Sequence, residues 1–526
     1  MARTQLFSKI QRALKLAAYF ETKGISTTEG LEQIAEVQWS RRRFLQTATA
    51  VVAGIVVDKV FPEFSVMAAE GPRVVIVGAG CAGLTCAYRL QQAGIQARVL
   101  EADTRVGGRM FTLRKAFPDG QIAELGGEFI DTSHTSLRRL VKELGLTLID
   151  VHKADDNLVS DVYYFENRSV PYTEIVENFR PVAALILKDL ATLTGDGSVT
   201  YKNPHNGQAL DRLSIAEWLN TRGVTGVIGS LLEVAYLGEY GLEVDEQSAL
   251  NLLFLIGTDP DHFKLFGESD ERFHIAEGND SVPKQLAQRL RRPIEFETRL
   301  EAIRQLANGT YRLTVNQAGK AKDITADEVV LAIPFTMLRQ VNIQVPLPPV
   351  KRLAIETLGY GTNAKIIAGF SQRIWQMAGS NGSTFSDLSY QSSWDTSRGQ
   401  AGKHGILTNF VGGKRGITVG KGTPQEQAAD FVSQINKIFP GATTAYTGQA
   451  ARYHWPTAPF VEGSYACYRP GQYTTLAGAE MEPVKGLHFA GEHTSLDFQG
   501  FMNGATESGE RAAKEVLSRV LRRRVR

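Results

Sequence analysis

Three closely spaced glycines mark the first place in this sequence where chemistry can be expected. Gly78, Gly80 and Gly83 form a G-x-G-x-x-G motif, with Ala82 inside it, directly after the β-branched run at residues 73–77 (RVVIV). In a strand–turn–helix unit, such glycines allow a tight turn, let backbone approach a pyrophosphate and let the helix pack on the strand. The N–H groups at the helix start then face the phosphates. The motif therefore predicts a dinucleotide-binding site.

An acid and a pair of arginines follow where a dinucleotide requires them. Residues 97–100 (ARVL) predict a second strand, and Glu101 ends it about 20 residues after the motif, where an acid accepts a hydrogen bond from a ribose hydroxyl. Residues 105–109 (RVGGR) then bring two arginines past the same pyrophosphate, and Arg109 can bridge phosphate oxygens with two hydrogen bonds. The first motif suits NAD or FAD, and the second favours FAD.

The motifs in this order resemble the FAD-dependent amine oxidase family, which includes monoamine, polyamine and L-amino acid oxidases. The resemblance runs from residue 73 to about residue 515. It implies bound FAD, oxygen as the electron acceptor and cleavage of C–H bonds next to nitrogen. The segments that carry it are 101–109 (EADTRVGGR), 124–127 (ELGG), 329–334 (VVLAIP), 486–494 (GLHFAGEHT) and 499–509 (QGFMNGATESG).

The resemblance also implies which part of the cofactor individual residues contact. Glu492 meets the ribityl chain, the backbone of Leu300 meets the adenine, and Met502 starts a helix that points at the pyrimidine end of the flavin. The residues expected to bind the cofactor are Gly78, Gly80, Ala82, Gly83, Glu101, Arg109, Gly126, Gly127, Glu128, Leu300, Glu492 and Met502.

A lysine inside an apolar strand is the expected catalytic residue. Lys365 lies in residues 362–367 (TNAKII), and burying its charge costs free energy unless a partner or a lowered pKa compensates. By the family resemblance, this lysine holds a water against flavin N5 and assists reoxidation by oxygen. The alternative is a surface lysine on an edge strand.

Two aromatic residues are expected to face the flavin. By the same resemblance, Tyr465 and Phe501 form a cage that orients the amine, whereas the alternative makes both rings ordinary core residues. Monoamine oxidases attach the flavin through a cysteine just before the cage tyrosine, but Ser464 stands there in this chain and Cys467 lies beyond the tyrosine. We therefore expect noncovalent FAD.

The preferred activity is that of an L-amino acid oxidase, which produces a 2-oxo acid, ammonia and hydrogen peroxide. Residues 382–388 (GSTFSDL) resemble that branch, and so does Phe501, which replaces the tyrosine of monoamine oxidases. The venom enzymes of the branch place a carboxylate-binding arginine close after the Gly-Gly pair, whereas this chain has Glu128 and Phe129 there. No arginine is assigned to that role from the sequence.

Two acids leave the substrate class open. Glu128 and Asp131 could attract a second positive charge on the substrate, which fits basic amino acids such as arginine or lysine and also fits polyamines. The alternative is that these carboxylates are solvated or bonded to backbone. A monoamine or polyamine oxidase therefore remains a second possibility. A non-oxidase, desaturase-like FAD protein is a third possibility, from another class.

The scattered motifs predict an α/β fold whose Rossmann-like FAD-binding domain is discontinuous. We assign residues 70–135, 270–335 and 455–520 to this domain. Helical periodicity predicts a helical cap over residues 136–269, and alternating strands predict a mixed-sheet substrate-binding domain over residues 336–454.

The N-terminal segment, residues 1–69, is expected to be an export signal preceded by an amphipathic helix. Residues 40–46 (SRRRFLQ) resemble a twin-arginine signal and precede a short apolar run at 47–57. This predicts a periplasmic or secreted protein that meets the export machinery. The alternative is a basic helix end followed by a buried helix.

Composition narrows the partners further. The chain has 526 residues with 58 Lys and Arg against 56 Asp and Glu, so no overall positive charge indicates nucleic acid. Its three cysteines form no metal-binding motif, and we expect no metal. The expected partners are an amine or amino acid and oxygen, and dimers are common in the resembled family.

Overall fold

A computed structural model describes residues 72–155, 157–259 and 263–524, so the expected export signal lies outside the described residues. In chain order, the strands are β1 (Val74–Val77), β2 (Arg98–Leu100), β3 (Thr112–Leu113), β4 (Ala123–Glu124), β5 (Leu148–Asp150), β6 (Val162–Phe165), β7 (Arg168–Val170), β8 (Phe273–Ile275), β9 (Thr298–Gln305), β10 (Tyr311–Gln317), β11 (Lys320–Ala326), β12 (Glu328–Leu331), β13 (Asn342–Gln344), β14 (Gly359–Tyr360), β15 (Ala364–Phe370), β16 (Thr384–Ser386), β17 (Ser392–Asp395), β18 (Gly405–Val411), β19 (Tyr446–His454), β20 (Ala466–Cys467) and β21 (Leu487–Phe489).

The helices of the same described ranges include several short ones of a single turn. In chain order, they are α1 (Cys81–Gln92), α2 (Thr135–Glu143), α3 (Tyr172–Leu190), α4 (Gln208–Arg212), α5 (Ile215–Thr221), α6 (Gly226–Tyr240), α7 (Ala249–Leu255), α8 (Ser281–Arg289), α9 (Phe335–Leu338), α10 (Pro349–Thr357), α11 (Ile374–Met377), α12 (Gly413–Thr418), α13 (Pro424–Ile435), α14 (Ala442–Ala445), α15 (Gln472–Thr475) and α16 (Met502–Arg524).

A four-stranded parallel sheet of order β2-β1-β12-β21 forms the base of the molecule. Strands β1, β12 and β21 are buried along their whole length, as expected for strands of a parallel sheet covered on both faces. Because these strands come from the beginning, middle and end of the chain, distant parts of the sequence meet at one sheet edge.

A second sheet of order β11-β10-β9-β13 is antiparallel except for the β13–β9 pair. It carries Leu300 on β9, one of the residues expected at the cofactor. Strand β13 lies within the segment 336–454 that we assigned to the substrate-binding domain, yet it pairs with β9. Sheet membership therefore differs from the expected division at this point.

A seven-stranded mixed sheet has the order β19-β15-β18-β17-β16-β6-β7. Strand β15 lies between β18 and β19, so it is an inner strand, and it is buried along its whole length. Strands β6 and β7 come from the segment expected to be a helical cap and join this sheet through the parallel pair β16–β6. The expected cap is thus helical at α2 and from α3 to α7, but strands β5, β6 and β7 lie between these helices.

The described ranges contain neither a helix fit to span a membrane nor a cluster of metal-binding side chains. Among those residues, no helix has both the length and the low polarity that a membrane span needs. Nor does any group of three or more His, Cys, Asp or Glu side chains within the described ranges come together in a way that could hold a metal ion.

Candidate active site

A cavity of about 1020 Å³ is lined by residues from the parallel sheet, the second sheet and the seven-stranded sheet. Nearly every residue singled out from the sequence lines it, although those residues are spread along more than 400 positions of the chain. The exception is Gly83, which packs behind the glycine turn. The lining residues include Gly78, Gly80, Ala82, Glu101, Arg109, Gly126, Gly127, Glu128, Asp131, Leu300, Lys365, Tyr465, Glu492, Phe501 and Met502.

The glycine turn between β1 and α1 has one glycine that opens into this cavity. Gly78 has a φ of 103°, and a Cβ there would lie 2.6 Å from the carbonyl oxygen of Ala332. A Cβ on Gly83 would lie 2.0 Å from the carbonyl oxygen of Gly78, so helix and strand pack at backbone contact. A Cβ on Gly80, by contrast, would have nothing within 4 Å. The turn therefore has the open cradle that a pyrophosphate needs.

The second glycine pair adjoins this turn. The N–H of Gly107 donates to the carbonyl oxygen of Ala79 at 3.0 Å, and a Cβ on Gly108 would lie 3.7 Å from Cα of Gly80. The segment 105–109 thus passes directly beside the first motif. Its position fits the expectation that both segments share one pyrophosphate.

Glu101 follows β2 at the edge of the cavity. Its carboxylate accepts hydrogen bonds from the N–H of Ala79 at 2.6 Å and from the N–H of Asp103 at 2.9 Å. Burial raises the pKa of Glu101. A carboxylate has about four acceptor positions, so these two bonds fix its orientation and leave capacity for a ribose hydroxyl.

Glu492 and Arg109 form an ion pair that joins three segments of the chain. Nη1 of Arg109 donates to Oε1 of Glu492 at 2.8 Å and to the carbonyl oxygen of Ser464 at 2.7 Å. Oε2 of Glu492 accepts from the N–H of Gly500 at 2.8 Å. The buried carboxylate of Glu492 thus orients the guanidinium of Arg109. Arg109 also lines the cavity, which suits its expected role in binding phosphate.

Lys365 is buried on the inner strand β15, with 3% of its surface exposed. Its Nζ donates to Oε2 of Glu128 at 2.7 Å and to the carbonyl oxygens of Glu124 and Gly126 at 3.0 and 2.9 Å. The Nζ atom also lies 5.1 Å from the centroid of the Trp394 ring. The alternative of a surface lysine on an edge strand is therefore wrong, and the charge of Lys365 is compensated by a partner.

Glu128 is that partner, and its two oxygens are both engaged. Oε2 binds Lys365, and Oε1 accepts a hydrogen bond from Oγ1 of Thr396 at 3.0 Å. The ion pair is buried on both sides, since each side chain is 4% exposed. Because Lys365 already balances its charge, Glu128 does not present the uncompensated carboxylate that the sequence suggested for a substrate cation.

Tyr465 and Phe501 line the same cavity. The hydroxyl of Tyr465 donates to the carbonyl oxygen of Gly238 at 3.4 Å, and a Cβ on Gly500 would lie 3.7 Å from the Tyr465 ring. The Phe501 ring lies 5.0 Å from the ring of His134. Burial lowers the pKa of His134 to about 3, so this neighbour is neutral at physiological pH. The aromatic surface therefore carries no added positive charge from His134.

The cysteines are placed away from the expected flavin attachment point. Oγ of Ser464 donates to Oδ1 of Asn363 at 2.6 Å, while Cys467 is buried and does not line the cavity. Cys81 does line it, but its Sγ lies 3.4 Å from Oγ1 of Thr506 and burial raises the pKa of the thiol. A raised pKa disfavours the thiolate that covalent attachment would need. Cys86 is buried in the core.

Several cavity residues have no motif that sequence reasoning could use. Glu239 is the penultimate residue of a cavity helix, Glu271 lies in a loop before β8, and Arg398 follows β17. Phe129 and Trp394 form an edge-to-face pair with centroids 5.7 Å apart on the same wall. One indirect indication of Arg398 was present in the sequence: Phe129 stands where related enzymes carry a carboxylate-binding arginine, so another residue must take that role.

The chain is similar in sequence and in fold to known proteins. The family model of flavin-containing amine oxidoreductases matches residues 81–517. An L-amino acid oxidase of Lachesis muta is 25% identical over 489 residues, which cover 87% of this chain and 90% of that protein. An L-amino-acid oxidase of Protobothrops flavoviridis is 27% identical over 471 residues, 84% of this chain and 88% of that protein. A putrescine oxidase bound to putrescine shares the fold, with a TM-score of 0.72, 20% identity and coverage of 85% and 99% of the two chains.

Proposed function

The chain belongs to the flavin-containing amine oxidoreductase family and is an FAD-dependent oxidase, and from this premise we propose that its substrate is an L-amino acid. The reaction would convert the amino acid, oxygen and water to the 2-oxo acid, ammonia and hydrogen peroxide. One observation carries the proposal: Lys365, Tyr465 and Phe501 line the cavity into which the glycine turn opens. The L-amino acid oxidases of Lachesis muta and Protobothrops flavoviridis support the proposal, because each is similar to this chain over most of its length.

The residues of this chain bind and orient, while the flavin, when bound, supplies the acceptor for the electrons of the C–H bond. The glycine turn and Arg109 would hold the pyrophosphate of the cofactor, and Glu101 would accept a hydrogen bond from a ribose hydroxyl. Tyr465 and Phe501 would confine the amine between aromatic faces so that its α-carbon is held in a reactive orientation. The amine must be neutral to react, because the lone pair of an ammonium group is already bonded to a proton.

Lys365 has a second part in this arrangement. Its ammonium is fixed by Glu128 and by two backbone carbonyls, so a proton is held at Nζ in a dry part of the cavity. By the family resemblance, this proton would orient a water beside the cofactor and stabilise negative charge as oxygen is reduced. A preorganised donor in a low-dielectric site is worth far more than the same donor in water.

A peroxide screen tests the substrate class. The purified holoenzyme is expected to release hydrogen peroxide with L-amino acids, because the proposed site accepts a carboxylate next to the amine, and to ignore the matching D-isomers. The panel contains the twenty L-amino acids, their D-isomers, spermidine, putrescine and tyramine. Activity on the decarboxylated amines alone would overturn the proposal in favour of a monoamine or polyamine oxidase. Bound FAD without any oxidase activity would favour the desaturase-like alternative.

Noncovalent attachment of FAD is a further part of the proposal. Ser464 stands at the position where monoamine oxidases carry the linking cysteine, and Cys467 does not line the cavity. Precipitation of the holoenzyme with acid is therefore expected to leave all yellow colour in the supernatant, as measured by the visible absorbance of the flavin. Flavin that stays with the pellet after denaturation would contradict this expectation, and mass spectrometry of the pellet would then locate the linkage.

A further inference from the structure

Arg398 is a buried arginine on the cavity wall that the proposed reaction does not yet use. It is 7% exposed, its Nη1 donates to Oδ2 of Asp155 at 3.0 Å, and its Nε donates to the carbonyl oxygen of Asp395 at 3.3 Å. Within the part of the chain that the structure describes, its Nη2 makes no hydrogen bond. The guanidinium lies 5.1 Å from the centroid of the Phe129 ring.

Arg398 lies next to Phe129, which stands where related enzymes carry their carboxylate-binding arginine. An α-carboxylate calls for a cation able to donate two hydrogen bonds, and the sequence has no arginine directly after Gly126 and Gly127. Phe129 occupies that position, and its ring contacts both the guanidinium of Arg398 and the ring of Trp394. Trp394 in turn lies beside Nζ of Lys365. A guanidinium from a distant loop therefore reaches the wall that adjoins the catalytic lysine.

The carboxylate of Asp131 is bonded to the segment that carries Glu271, a second acid of the cavity wall. The N–H of Glu271 donates to Oδ1 of Asp131 at 2.9 Å, and Oγ of Ser269 donates to Oδ2 of Asp131 at 2.8 Å. The ring of His134 lies 3.4 Å from Asp131 but is neutral, since burial lowers its pKa. Among the described residues, no lysine or arginine forms an ion pair with Asp131 or Glu271. Both side chains line the cavity.

A third carboxylate, that of Glu239, belongs to the residue after Gly238, which is bonded to Tyr465. The carbonyl oxygen of Gly238 accepts from the Tyr465 hydroxyl at 3.4 Å and from Nδ2 of Asn363 at 2.7 Å. These bonds fix the end of α6 beside Tyr465, and Glu239 also lines the cavity. No ion pair compensates its charge within the described ranges of the chain.

Asp131, Glu239 and Glu271 line the same cavity, and their charges repel one another. Burial and the charge of Asp131 raise the pKa of Glu239 to about 7. Burial and the charges of Asp131 and Glu239 raise the pKa of Glu271 to about 8, while Arg398 opposes the shift and Asp161 adds to it. A cation placed among these groups would relieve the repulsion between them.

We propose that Arg398 binds the α-carboxylate of the substrate, while Asp131, Glu239 and Glu271 receive a positive charge at the far end of its side chain. The substrate is therefore an L-amino acid with a cationic side chain, of the arginine or lysine type. This inference rests on the proposed function and narrows it. It replaces Glu128, whose charge Lys365 already balances, with two acids that the sequence did not indicate.

Two analogues of L-arginine test separately the proposed contacts to the α-carboxylate and to the side-chain cation. L-citrulline has the shape of L-arginine without the distal charge, and agmatine is L-arginine without the carboxylate. For the wild-type holoenzyme, kcat/KM with L-arginine is expected to exceed that with either analogue by about 10–100-fold, since each lacks one charge-assisted contact of about 1.5–3 kcal/mol. Equal values for L-arginine and L-citrulline would overturn the distal site. Equal values for L-arginine and agmatine would overturn the role of Arg398.

Variants then assign each end to its residues. Glu271→Gln is expected to lower the preference for L-arginine over L-citrulline about tenfold, because it removes one charge and keeps the shape. Arg398→Lys, which keeps the charge but loses the two-pronged donor, is expected to lower the preference for L-arginine over agmatine. Glu233→Gln is the control, since Glu233 lies on the same helix as Glu239 but is exposed outside the cavity.

Binding and folding are measured alongside activity. The Tm and the flavin content of each variant separate loss of recognition from loss of structure. The shift of Tm with L-arginine under anaerobic conditions is expected to shrink in Glu271→Gln. This inference would be overturned if the enzyme preferred leucine and if neither Glu271→Gln nor Arg398→Lys changed the kcat/KM ratios. The protein would then still be an L-amino acid oxidase. Activity confined to amines without a carboxylate would overturn the proposed function itself.

Discussion

Lys365→Met is expected to slow turnover with oxygen by about 10²–10³-fold, the usual loss when one preorganised donor is removed from an active site. The variant deletes the only Nζ that holds a proton against Glu128, Glu124 and Gly126 on this wall of the described cavity. Stopped-flow spectroscopy should assign the loss to reoxidation of the reduced flavin rather than to its reduction by substrate. An unchanged reoxidation rate would contradict the role proposed for Lys365.

A double variant distinguishes this chemical effect from simple destabilisation. Lys365→Met leaves Glu128 buried without its cation, which typically costs about 3–5 kcal/mol of stability. Lys365→Met combined with Glu128→Gln removes both charges, so the Tm is expected to recover much of the loss while reoxidation stays slow. If activity recovered together with the Tm, Lys365 would have only a structural role.

Gly80→Val is expected to yield a folded protein that has lost nearly all of its FAD. The backbone of Gly80 has a φ of −73°, which any residue adopts, and a Cβ there meets no protein atom within 4 Å. The valine would instead fill the space through which the pyrophosphate approaches the start of α1. The ratio of flavin absorbance to protein absorbance in the purified sample measures the loss, and circular dichroism checks the fold.

Two other glycines serve as controls for this experiment. A Cβ on Gly238 would also meet no protein atom within 4 Å, and Gly238 lines the same cavity beside Tyr465, so Gly238→Val is expected to retain its flavin. Gly83→Val is expected not to fold, because its Cβ would lie 2.0 Å from the carbonyl oxygen of Gly78. Full flavin occupancy in Gly80→Val would show that the cofactor does not pass this turn.

Local patterns predicted the strand, turn and helix at residues 74–92 well. The β-branched run, the glycine turn and the acid at Glu101 are close in sequence, so their geometry follows from rules for one strand–turn–helix unit. Lys365 could be found as a lysine in an apolar strand, but its partner could not. Glu128 was expected to face a substrate, because nothing in the sequence shows that β15 passes beside residues 124–128.

Long-range packing explains what the sequence did not show. Strands β6 and β7 belong to a segment with helical periodicity, yet they complete a sheet whose other strands lie about 200 residues further along. Glu239, Glu271 and Arg398 stand at a helix end and in two loops, where no spacing rule applies. Their convergence depends on contacts such as the hydrogen bond from Asn363 to Gly238, which only the folded chain contains.

The order of strands in the parallel sheet has a consequence for biosynthesis. Its edge strand β21 and the start of α16 come from residues 487–509, whereas the helix α1 against which α16 packs begins near residue 80. A nascent chain on the ribosome cannot close the nucleotide site until almost all of it has emerged. Cofactor uptake is therefore expected after translation, and a chain cut short before residue 487 would lack Glu492 and Met502 from the wall of the cavity.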